Sequence, residues 1–72
     1  MRKLNPEKLL HSKWTACAPV NREKHFMVVD CMRDETTQEV INVELQAVLT
    51  RRSRCLPWQQ LRDAELWHQG WH

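Results

Sequence analysis

Three cysteines and four histidines are the side chains of this 72-residue chain that could do metal or nucleophilic chemistry. Their spacing supports neither. Cys17, Cys31 and Cys55 contain no C-x-x-C pair, the arrangement that lets neighbouring thiolates share one zinc ion. His68 and His72 are four apart, which a helix would bring together, but Gly70 lies between them. His11 and His25 flank Trp14 and offer no ligand spacing. A Cys–His couple can activate a thiolate, yet nothing in the spacing selects one. There is no nucleophile elbow, and a single glycine in the chain argues against backbone cradles for phosphate. The expectation is no catalytic residue, no metal, no cofactor and no enzymatic activity.

Two other groupings could recognise a partner. Arg51, Arg52 and Arg54 form a basic cluster that Arg22 and Lys24 can join from a neighbouring loop. Such a cluster beside aromatic rings on a small β-barrel binds single-stranded nucleic acid; the alternative is that the arginines guard an exposed strand edge. Trp14, Trp58, Trp67 and Trp71 are four of the five aromatic side chains, and three of them lie between 58 and 71. Trp and Arg are the residue types enriched at interface hot spots. Trp67 and Trp71, near the end of the chain, are therefore candidates for a protein or peptide partner, with Arg51, Arg52 and Arg54 the candidates for nucleic acid.

Composition narrows the setting. The length allows a single domain, 1–72, with a marginal core. A net charge of +2 is too balanced to argue for nucleic acid by itself. No apolar run exceeds Phe26 to Val29, so nothing spans a membrane and no membrane partner is expected. Arg2 and Lys3 are followed by polar and charged residues where a signal peptide would need an apolar stretch. Three widely spaced cysteines do not make an even disulfide framework. These features predict a cytoplasmic protein with reduced cysteines in its core.

The elements that must position these residues are mostly strands. Asn5-Pro6-Glu7 reads as a capped helical start, with Leu4 and Leu9 as a hydrophobic staple. Residues 12–18 look extended and place Trp14, Ala16 and Ala18 on one face. Pro19 stops that strand, and 20–24 is a polar loop. Phe26 to Met32 is dense in β formers. Asp34 to Thr37 is a polar turn suited to a longer hairpin loop. From 41 to 50, Ile41, Val43, Leu45, Ala47 and Leu49 alternate with mostly polar residues, the period of a half-buried strand. Pro57 suits a first helical position, with Trp58 and Leu61 on one face, and Asp63 ends that turn and caps another. Gly70 fits the left-handed residue that ends a helix, swinging Trp71 back onto the body.

The predicted fold is mainly β: a small, bent antiparallel sheet resembling an SH3-like half-barrel, of about four or five strands, with a short C-terminal helical segment. The alternative is an α+β arrangement, a three-stranded sheet on one helix. The expected core is Trp14, Phe26, Val28, Ile41, Val43, Leu45, Leu49, Trp58 and Leu61.

Four segments also carry a resemblance: K-L-L-H-S-K-W-T at 8–15, K-H-F-M-V-V at 24–29, V-E-L-Q-A-V-L-T-R-R at 43–52 and L-P-W-Q-Q-L-R-D-A-E-L-W-H-Q-G-W at 56–71. Together they resemble a family of small Trp-rich bacterial proteins of unknown function, with the signature S-K-W-T followed by L-P-W-x-x-L-x-D-x-x-x-W-x-x-G-W. Trp14, Trp58, Trp67, Gly70 and Trp71 occupy the matching positions. The resemblance brings no catalytic residue and no cofactor. The leading expectation is a non-enzymatic binding module for a protein or peptide; the alternative is single-stranded nucleic-acid binding. Oligomeric state is left open.

Overall fold

The computed structural model describes residues 3–72, so Arg2 of the basic N-terminus lies outside the described residues. Five strands form one open antiparallel sheet: β1 (Lys13–Val20), β2 (Glu23–Arg33), β3 (Val40–Ala47), β4 (Ser53–Pro57) and β5 (Trp67–Gln69), in the order β4-β3-β2-β1-β5. The helical pieces among the described residues are two 3-10 turns, Pro6–Lys8 and Trp58–Arg62. The mainly β reading holds, and the C-terminal helical segment is the second of these turns. The further helical turn expected after Asp63 is instead a non-helical turn at 64–66 that leads into β5, so Gly70 follows a strand and not a helix. Asn5 caps the first, its side chain accepting from the Glu7 N–H at 3.0 Å.

Turn chemistry sets the hairpins. Asn21 and Arg22 both have positive φ, 56° and 64°. They make a two-residue β1–β2 connection of the primed kind that matches strand twist, where the sequence suggested a looser loop over 20–24. Strand β1 accordingly runs through Pro19 to Val20. The β2–β3 loop is organised by Asp34, whose carboxylate accepts from the N–H groups of Thr36 and Thr37 at 2.8 and 3.0 Å. Those two bonds hold its pKa below the ordinary carboxylate range. The β3–β4 turn closes with Arg51 N–H on the Ala47 carbonyl at 2.8 Å and Arg51 at φ 63°.

Two register shifts in the β2–β3 ladder bend the sheet and correct the core expected from alternation. Met32 faces Asn42 but Arg33 faces Val40, so Ile41 is the extra residue. Ile41 turns outward, 47 % exposed, and Val40 takes the inner place. Leu49 is 68 % exposed because β3 ends at Ala47 and the turn begins there, short of the predicted 50. Trp58, also expected in the core, is only half-buried. Trp14, Phe26, Val28, Val43, Leu45 and Leu61 are buried, joined by Leu9, Ala16, Val40, Ala47, Leu56 and Trp67, with Trp58 and Leu4 packed at the margin. Removing the two buried indoles, Trp14 and Trp67, from water contributes at most about 8–12 kcal/mol to a domain with little core to spare.

Candidate functional site

The structure sets the His68 and His72 rings edge-on, 5.9 Å apart, although Gly70 lies between them in sequence. Among the described residues no group of three or more His, Cys, Asp or Glu could hold a metal. The cysteines are free, and Cys17 and Cys55 are exposed, which corrects their expected place in the core: each lies on a strand position opposite in parity to the buried face. Cys31 is half-buried, and burial pushes its thiol pKa up, with Arg33 partly opposing. A thiol held protonated is a poor nucleophile.

The C-terminal tryptophans divide. Trp67, a candidate partner-binding residue in the sequence, is 3 % exposed. It packs edge-on against Phe26, ring centroids 5.3 Å apart at 88°. The reason is pairing: β5 lies against β1, with Trp67 opposite Ala16 on the inner face. Trp71 is 40 % exposed on the opposite face of the sheet. Its indole N–H donates to the Phe26 carbonyl at 2.9 Å, Lys13 Nζ stands 4.7 Å over its ring, and His25 is 6.1 Å away. Gly70, at φ 87°, makes the bend that returns Trp71 to the sheet.

These contacts explain why the two halves of the signature occur together. Ser12 accepts from the Trp14 indole at 2.8 Å and donates to the Leu9 carbonyl. The Lys13 carbonyl accepts from Gly70 N–H at 2.7 Å. Thr15, the buried polar residue of the core, donates its hydroxyl to the Gly70 carbonyl at 2.7 Å and accepts from His72 N–H at 3.0 Å. S-K-W-T and W-x-x-G-W are thus two sides of one joint between β1 and β5. Between them, Leu56 is buried, Pro57 leads into the second 3-10 turn, and the Asp63 carbonyl accepts from Leu66 and Trp67 N–H at 3.1 Å each. The model of the tryptophan-rich protein family DUF2389 matches residues 12–72.

The chain belongs to this family.

In this DUF2389 protein the signature tryptophans are architectural first. No curated protein and no solved structure matches the chain. The uncommitted chemistry lies elsewhere, on the arginines.

Arg54 sits on β4 opposite Leu45, at a position that points inward. Its guanidinium carbon is 5.3 Å from the Phe26 ring centroid and 5.4 Å from that of Trp67. A cation from one edge strand thus reaches the aromatic pair beside the other edge, which requires the sheet to curl until β4 and β5 face each other. Between them runs a groove of about 370 Å³ lined by Ala16, Ala18, Arg54, Leu56, Leu66 and Trp67, together with Cys55, Gln60 and Glu65. It continues past Ala18, Val20 and Glu23 on the other side of Arg54. Both banks have free backbone. Strand β4 pairs on one side only, and β1 loses its register with β2 between Thr15 and Val20, leaving Ala18 and Pro19 without a ladder partner among the described residues.

Arg51 and Arg52 lie not in this groove but at the β3–β4 turn. There they stand near Arg22 and Lys24 of the β1–β2 hairpin, which is linked to that turn by Val48 N–H on the His25 carbonyl at 2.9 Å and by a Thr50–Glu23 hydrogen bond. The sequence located the cluster and its neighbours. It could not locate the groove, because that depends on the curl and on a β1 irregularity no local pattern announces.

Proposed function

We propose that this protein is a non-enzymatic interaction module that binds an extended peptide in the groove between β4 and β1–β5. The observation that carries the reading is Arg54: a guanidinium laid over the Phe26–Trp67 pair, with no carboxylate paired to it among the described residues. A cation held over rings keeps its N–H groups available for a carboxylate. The free edge of β4 offers a row of backbone donors and acceptors to an added strand. Ala16, Ala18 and Leu66 offer apolar contacts to its alternate side chains. The fitting ligand is a strand carrying one Asp or Glu among aliphatic residues. The SH3-like half-barrel likeness belongs to the same reading, since a curled sheet with an unclosed seam is what the groove needs. So does a cytoplasmic setting, which fits three free thiols. Among the described residues no helix is long and apolar enough to cross a membrane.

Selection from a library of such peptides, followed by amide chemical-shift mapping, tests this. The expected result is perturbation of Ala16, Ala18, Arg54 and Leu66, and a roughly tenfold or greater loss of affinity in Arg54→Gln, the size of a charge-assisted hydrogen bond. Selection of no peptide, or binding unchanged in Arg54→Gln, defeats the reading.

A further inference from the structure

The end of the sheet that carries the β1–β2 and β3–β4 turns concentrates both charge and exposed aliphatic surface. Arg22, Lys24, Arg51, Arg52 and Arg54 gather there against a single carboxylate, Glu23, which already accepts a hydrogen bond from Thr50. Five cations against one anion give this end +4; the whole chain carries +2, so everything else sums to −2. Among the described residues none of these cations is in an ion pair. Between them the chain exposes Val20 and Leu49, each 68 %, and Val48, 47 %. Val48 and Leu49 line a shallow hollow with Arg22, Lys24 and His25.

We infer that this end of the molecule docks onto an anionic lipid surface. Val48 and Leu49, on a turn that projects past the last ladder pair, enter the headgroup layer. Arg22, Lys24, Arg51 and Arg52 meet the lipid phosphates around them. Aliphatic residues at a projecting turn inside a ring of cations satisfy both parts of interfacial binding, apolar burial and attraction to anionic headgroups. Such attachment needs no spanning segment. Single-stranded nucleic acid shares the phosphate chemistry but stacks its bases on rings. At this end the large exposed side chains among the cations are the aliphatic Val20, Val48 and Leu49. Of the nearby rings, His25 is half-buried, Trp71 beside it is held by the Phe26 carbonyl and covered by Lys13, and Phe26 and Trp67, beneath Arg54, are buried.

Co-sedimentation with vesicles tests the inference, comparing phosphatidylglycerol mixed into phosphatidylcholine with phosphatidylcholine alone at rising salt. The protein sediments with the anionic vesicles at low salt, not with the neutral ones, and is released as salt increases. The pair Arg51→Gln and Arg52→Gln lowers the partition roughly 30-fold, and Leu49→Ser lowers it roughly 10-fold. Because all three positions are exposed in a turn, thermal melting of the variants stays at the wild-type value. No binding to anionic vesicles overturns the inference. So does binding that Leu49→Ser leaves unchanged, which is adsorption by charge alone, or a single-stranded oligonucleotide that displaces the protein from the vesicles.

Discussion

The two ends of the sheet use the same kinds of side chain in opposite ways. At the end carrying the β2–β3 loop, polar groups are committed to one another. Arg33 forms a two-pronged bridge to Glu7, both N–O distances 2.9 Å, and donates to the Gln38 carbonyl at 2.7 Å. That bond holds the Glu7 pKa below its ordinary value. Asp34 ties its own loop. At the end carrying the other two turns, Arg22, Arg51 and Arg52 have no such partners among the described residues, and Val20, Val48 and Leu49 face solvent. A small domain with a marginal core gains from satisfying every group it can. The difference is that the committed end and the β1–β5 joint serve stability, and the uncommitted end and the adjoining groove are the surfaces we propose for recognition.

The comparison breaks first at the tryptophans. Trp14→Ala or Trp67→Ala removes a buried ring from the joint and costs about 3–5 kcal/mol, much of a small domain's stability. Chemical denaturation should find both variants largely unfolded. If Trp67→Ala folds normally, Trp67 is not core. Thr15→Val comes next: it keeps the shape and leaves the Gly70 carbonyl and the His72 N–H without their partner, a cost of about 1–3 kcal/mol. Its melting point falls, and hydrogen exchange speeds up at 70–72 but not in the β2–β3 loop. Gly70→Ala has a smaller effect. A Cβ there would meet only the His72 ring, at 3.6 Å, so the cost is backbone strain at φ 87°, about 1 kcal/mol.

Those four residues show how much the sequence disclosed. The Trp14 strand, the Gly70 bend and the returning Trp71 follow from local patterns, since parity, a lone glycine and proline placement act over a few residues. Thr15 was invisible as a joint, because its partners are 55 and 57 positions away. Ile41 was misplaced for a related reason: alternation specifies a face only while register is kept, and the bulge opposite Met32–Arg33 shifts it by one. The arginine cluster was legible from its composition, whereas the role of Arg54 over two rings depended on sheet curvature.

The committed end predicts a pH effect. Glu7 and Asp34 have folded pKa values below their unfolded ones. Their contribution is therefore present above the unfolded carboxylate pKa and disappears as pH falls through the lowered folded values. Glu7 is exposed and Asp34 only partly covered, so the melting point declines only modestly on acidification. In Glu7→Gln with Asp34→Asn the slope flattens; an unchanged slope would mean that this end is no more committed than the other. The smallest effect on folding belongs to Arg54→Gln, whose guanidinium is exposed, and whose melting point should stay near wild type.

Arg54→Gln therefore gives the most direct test. Amide shift mapping of wild type and variant against the same acidic extended peptide should show Ala16, Ala18 and Leu66 responding in the wild type and falling silent in a fully folded variant. A response centred instead on Trp71, or one that persists without the guanidinium, would contradict the division of this protein into an architectural tryptophan joint and a recognising arginine groove.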